Sequence, residues 1–140
     1  MYDAVLFPTD GSDGSATARD HAIELAADQG ATLYVLYVVE PLAHVASVRR
    51  VVVEELTEFG AELVAEVAEA ATERGVRAET AVIQGDPAAT IVAHAAAVGA
   101  DVIVMPTHGR SGVARAILGS VTEAVIRTGD VPVLVTKLET

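Results

Sequence analysis

The chain has 140 residues, 51% of them hydrophobic, which suits one domain with a sizeable core. Its net charge is −11, and Lys137 is the one lysine among nine basic residues, so nucleic acid and anionic membranes are poor partners. It contains no Cys, which excludes disulfides and thiol chemistry.

The opening "MYDAVLFPTD" has no basic start, and Asp3 and Asp10 flank its apolar stretch. It does not read as a signal peptide, and no uncharged run approaches transmembrane length, so a cytoplasmic location is expected. Within it, "DAVLFP" (3–8) is a short apolar run of the kind a buried parallel strand requires. "SATARDHAIELAADQG" (15–30) then takes helical spacing, with Ala18, Ala22, Leu25 and Ala26 on one face and Gly30 as its stop. "ATLYVLYVV" (31–39) is the second strand. A long helix is expected from about 47 to 74, with Leu56, Phe59, Leu63, Val67 and Ala70 stepping by three or four. "RAETAVIQ" (77–84) is the third strand. Asp86 and Pro87 then start a helix that ends at Gly99, Asp86 as N-cap and Pro87 in the first turn. "DVIVMP" (101–106) is the fourth strand, a helix opens at Ser120, and "VPVLVTK" (131–137) is the last strand.

The alternation of strands and helices argues for an α/β domain spanning residues 1–140. Its sheet is parallel and doubly wound, with helices on both faces and right-handed crossovers. Ligands of such sheets bind beyond the carboxyl ends of the strands, where strand order reverses. That brings together the two most distinctive stretches, "PTDGSDG" after the first strand and "MPTHGRSG" after the fourth.

Each stretch has two readings. Asp10 suits a ribose hydroxyl, an adenine amine or a metal, and equally a helix-capping turn eased by Gly11 and Gly14. Gly119-Ser120-Val121-Thr122 puts a close-approach glycine, two hydroxyls and free N–H groups at a helix start, which is anion-binding geometry. Plain N-capping by Ser120 needs no ligand. Arg110 and Arg115 suit phosphate or open solvent. His21, His44 and His94 lack metal-ligand spacing, and His108 stands alone in the crevice loop, so no metal site is expected. Ser111 lies in "GRSGV", which is not G-x-S-x-G, and no P-loop consensus occurs. A phosphate-accepting receiver would need an acidic residue at the third strand's end, where the chain reads "VIQG". No catalytic residue is assigned. A slow ATPase, with His108 or Asp10 as base, ranks last.

Taken together, "PTDGSDGS", "GDPAATIVAHAAAVGADVIVM", "THGRSG" and "GSVTEAVIRTGDVPVLV" resemble the universal stress protein family over essentially the whole chain. The ATP-binding branch of that family carries Gly-x-x-Gly, nine residues, then Gly-Ser or Gly-Thr. Counting back from Gly119 puts the second glycine at Gly109 and the first at Pro106, so the sequence departs from the pattern there. The resemblance implies a five-stranded parallel sheet in order 3-2-1-4-5 and a homodimer. It implies base and ribose contacts at Pro8, Thr9, Asp10 and Val38, with Met105 lining the pocket. It implies phosphate contacts at Gly109, Gly119, Ser120, Val121 and Thr122. The implied ligand is ATP or AMP, with or without magnesium, in a stress-response protein. The alternative is an interaction module of the same fold that has lost its site. The final strand, at the sheet edge, is the expected dimer contact through Val131, Val133 and Val135. The acidic, almost lysine-free composition suits a salt-loving organism, as it also suits an ordinary acidic protein.

Overall fold

A computed structural model of the chain describes residues 1–41, 46–107 and 119–137. The elements are β1 (Ala4–Pro8), α1 (Asp13–Gln29), β2 (Thr32–Val39), α2 (Ala46–Glu73), β3 (Ala78–Gln84), α3 (Pro87–Val98), β4 (Val102–Pro106), α4 (Ser120–Thr128) and β5 (Val133–Thr136). The sheet order is β3-β2-β1-β4-β5 and every pairing is parallel, as expected.

The continuous apolar runs of β1 and β4 follow from their central place: every residue of both strands is buried. Side chains alternate between two cores. On one face Val5, Phe7, Val35, Tyr37 and Val104 pack with Ala18, Ala22 and Ala26 of α1 and Val64, Val67 and Ala71 of α2. On the other, Leu6, Leu36, Ile103 and Met105 pack with Ile91 and Ala95 of α3 and Val125 of α4. The helix ends take the form their residues dictate. Asp86 caps α3 through Oδ2, which accepts the Ala89 N–H at 3.0 Å, and Gly30 and Gly99 close α1 and α3 in the left-handed region.

The expected stripe of α2 holds at Val67, which is buried, and at Leu56, Leu63 and Ala70, which pack against the core, but not at Phe59. The row of α2 that reaches the sheet is Gly60, Val64, Val67 and Ala71, while Phe59 stays 45% exposed. Gly60 lies on the Tyr37 ring, and a Cβ there would overlap it. The missing side chain lets the helix close down at that point, and Phe59 meets Tyr37 edge to face instead, with centroids 5.7 Å apart. The 28 residues of α2 span about 42 Å, against about 23 Å for β3, so its first turns overhang the carboxyl end of the sheet. Among the described residues no helix is long and apolar enough to cross a membrane.

Candidate functional site

The crevice arises from strand register. β1 pairs with β4 only at Val5↔Val102 and Leu6↔Ile103, while β1–β2 pairing continues to Pro8↔Leu36 and β4–β5 pairing to Pro106↔Thr136. The two central strands therefore part at their carboxyl ends. Their chains then turn to opposite faces, into α1 and α4, which is the condition for a switch-point crevice. The cavity there holds about 450 Å³. Pro8, Thr9 and Asp10 line it from β1, Leu36, Tyr37, Val38 and Glu40 from β2, and Met105 and Pro106 from β4. The first turn of α4, Gly119 to Thr122, closes it, and Ser15, Leu56, Pro87 and Ile91 come in from the other helices.

On the β1 side the chain leaves the sheet in a tied turn. The Thr9 N–H donates to the Leu36 carbonyl at 2.9 Å, one residue beyond the strand. Asp10 Oδ1 accepts the Ser12 N–H at 2.9 Å, and Ser12 Oγ caps α1 by accepting the Ser15 N–H at 3.2 Å. Gly11 takes φ +81°, which the turn requires. Asp10 thus orders the turn, and the same residue lines the cavity. The hydroxyls of Thr9 and Ser15 meet at 2.5 Å, both residues buried.

On the β4 side the arrangement departs from expectation in two ways. Gly119, not Ser120, is the N-cap of α4, and it makes no side-chain cap; its N–H donates to the Thr107 carbonyl. Ser120 is the first helical residue and is exposed, so its hydroxyl stands free of any capping role. Thr122 is 3% exposed, and its hydroxyl donates to the Pro106 carbonyl at 2.9 Å. That hydroxyl is committed to the strand and not to the crevice. What α4 offers an anion is the Ser120 hydroxyl and its first-turn N–H groups, which have no acceptor within the helix, at the positive end of the helix dipole.

Pro106 can be placed by the ladder. The N–H groups of Ile103 and Thr107 both donate to β5, to Pro132 and Thr136. Amides alternate along a strand, so position 106 faces β1, at a point where β1 has already parted from β4. Proline therefore removes a donor from the crevice side.

Pro8, Thr9, Asp10, Val38, Met105, Gly119, Ser120, Val121 and Thr122, expected from sequence, all line this one cavity. Gly109 lies outside the described residues, as do His44, His108, Arg110, Ser111 and Arg115. Sequence reasoning missed Ser15, Leu36, Tyr37, Glu40, Leu56, Pro87 and Ile91. Leu56 and Ile91 carry a legible sign, since both belong to apolar helical stripes. Ser15 and Glu40 carry none, because nothing local shows that either turns to the crevice. The cavity lining combines an apolar group, Leu36, Val38, Ile91 and Met105, with polar groups at Asp10, Ser15 and the α4 N-terminus. That combination suits a ligand with a flat apolar end and an anionic end. Among the described residues no group of His, Asp and Glu side chains is placed to hold a metal.

Residues 1–137 match the model of the Universal stress protein family. The chain is 40% identical to the universal stress protein MJ0531 of Methanocaldococcus jannaschii, over 98% of this chain and 83% of that protein. The solved structure of MJ0577, from the same organism, has a TM-score of 0.88 at 29% identity and covers 100% of this chain and 99% of that one. A universal stress protein solved in complex with cAMP has a TM-score of 0.76 at 28% identity, with 99% of each chain covered.

Proposed function

The chain belongs to the universal stress protein family, and from that premise we propose that it is a stress-response protein that binds an adenine nucleotide, AMP or ATP, where β1 and β4 part. The observation that carries this reading is the convergence of Pro8, Thr9, Asp10, Val38, Met105 and Gly119–Thr122 on one cavity of about 450 Å³. In this reading the base lies against Val38 and Met105 of the apolar group. Asp10 accepts from the ribose, and the first turn of α4 meets phosphate. The relative solved with cAMP supports the same ligand class. Magnesium would offset the carboxylates of Asp10 and Glu40, which both line the cavity.

The test is isothermal calorimetry with AMP and ATP, with and without magnesium, alongside mass spectrometry of what the denatured protein releases. Heat from either nucleotide supports the reading; no heat and no released nucleotide overturns it.

A second reading, an interaction module on the same fold, is favoured by two observations. Pro106 withholds an N–H from the crevice, and Gly119 spends its own on Thr107. We further propose that the protein is a homodimer joined through the β5 edge.

A further inference from the structure

The buried hydroxyl pair of Thr9 and Ser15 has a proton to spare. Two hydroxyls carry two hydrogens, and the 2.5 Å contact between them uses one, whichever oxygen donates. Thr9 Oγ1 also accepts from the Gly11 N–H at 3.3 Å, which consumes a lone pair and no hydroxyl hydrogen. The second hydrogen has no acceptor among the described residues. Ser15 is 2% exposed and Thr9 8%, yet both line the cavity. A buried donor of this kind is costly unless something accepts from it.

Asp10 lines the same cavity, and its carboxylate is acceptor-only. Ser12 N–H fixes one of its oxygens at 2.9 Å. The lining of the crevice thus includes a fixed acceptor and a single hydroxyl donor. A vicinal diol is complementary to that pair. One of its hydroxyls donates to the carboxylate, and the neighbouring oxygen accepts from the serine–threonine pair.

We propose that the hydroxyl pair of Ser15 and Thr9 determines specificity: it reads the intact diol of a ribose and so selects ribonucleotides over 2′-deoxyribonucleotides. The inference rests on the adenine-nucleotide reading of this cavity. It adds a residue and a discrimination to that reading. A site built to hydrogen-bond a hydroxyl rejects the analogue that lacks it, because its own polar group is then left unpaired.

The experiment measures the affinities of AMP and 2′-deoxy-AMP for the full chain and for the double variant Thr9→Val, Ser15→Ala, with melting curves of both proteins to confirm folding. Ser15→Ala alone would leave Thr9 its own hydrogen to donate. The wild type is expected to prefer AMP by about tenfold, the worth of one hydrogen bond. The double variant is expected to bring the ratio close to one, mainly by weakening AMP. Equal affinities in the wild type overturn the inference and leave nucleotide binding standing. A preference that survives in the folded double variant also overturns it, since another group then reads the diol. Binding of neither nucleotide overturns both the site reading and the inference. The wild-type ratio needs no variant, so a double variant that failed to fold would still leave the proposal open to refutation.

Discussion

Thr122 ties the start of α4 to the end of β4: its hydroxyl, buried, donates to the Pro106 carbonyl at 2.9 Å. Thr107 donates its N–H to Thr136 one residue further, and the Gly119 N–H returns to the Thr107 carbonyl. Both ends of the intervening segment are therefore anchored at the crevice wall. The Thr122 bond acts on folding first and on the site second. Thr122→Val keeps the shape but leaves a buried carbonyl without its donor. It is expected to cost about 1–2 kcal/mol of stability. Thr122→Ser, which keeps the hydroxyl, should retain most of it. Denaturant unfolding of the three proteins is the check, and equal midpoints would show that the bond contributes nothing.

The fate of Thr122 illustrates what could be read in advance. A hydroxyl at the third helical position is visible in the sequence; whether it turns to a ligand or to a carbonyl sixteen residues earlier is a tertiary fact. The strands were legible because both faces of β1 and β4 are buried, which demands unbroken apolar runs. The helix ends were legible because Asp86-Pro87, Gly30 and Gly99 act within a few residues of themselves. The face of α2 was legible at Leu56, Leu63, Val67 and Ala70 but not at Gly60, which adds nothing to an apolar stripe, yet its lack of a side chain is what admits Tyr37. Ser15 was missed for the same kind of reason. Its partner Thr9 is six residues away, across a turn whose geometry no local pattern specifies.

Asp101 fastens the other end of the sheet. Its Oδ2 accepts the N–H groups of Asp3 at 2.7 Å and Ala4 at 3.0 Å, at the start of β1. These two backbone hydrogen bonds, with a smaller contribution from the N-terminal charge, outweigh desolvation and hold its pKa below the ordinary 3.8. A carboxyl group with a depressed folded value adds stability that is complete above its unfolded value. That stability is lost as pH falls through the folded one. Asp101→Asn, which resembles the protonated acid, should therefore melt lower than wild type at neutral pH. The gap should close below about pH 4. A gap that stays constant from neutral pH into acid would contradict this. Nucleotide affinity should not change, since Asp101 lies at the sheet end away from the crevice.

Charge repulsion is a property of the whole chain. With a net charge of −11, folded stability is expected to rise as salt screens carboxylate from carboxylate. Melting temperatures from dilute to molar potassium chloride provide the measurement. A flat profile would remove the case for adaptation to high salt.

β5 leaves one edge of the sheet open among the described residues, since it pairs only with β4. Val131, Val133 and Val135 are half-buried, and Leu134 is 43% exposed. An unpaired strand edge beside apolar side chains invites a second copy, although Pro132 offers no donor. Light scattering at micromolar concentration and high salt is expected to give twice the chain mass. The double variant Val133→Lys, Val135→Lys should return it to one chain. A wild type that is monomeric under those conditions would rule out the edge contact.

Under the proposed function, Pro106 bears on how well the crevice holds a nucleotide. It fits the fold: it is buried in β4, its carbonyl is satisfied by Thr122, and its fixed φ is compatible with an extended strand. It subtracts from the site, because an N–H at position 106 would face the gap left by β1. A hydrogen bond to a charged group contributes roughly 1.5–3 kcal/mol, or about one to two decades of affinity. Pro106→Gly supplies the missing donor and frees the backbone, so it should tighten nucleotide binding by about that factor. It should also lower stability by about 1 kcal/mol through the looser unfolded chain. Gly119→Val acts in the opposite sense, since Gly119 lines the cavity and a branched side chain would enter it. Asp10→Ala removes the carboxylate that orders the turn and that, in the proposed reading, meets the ribose. Both are expected to abolish binding. Calorimetry with ATP and magnesium on the wild type and the three variants checks all of this together. If neither the wild type nor Pro106→Gly gave heat, the geometry of a nucleotide site would be present here without its function.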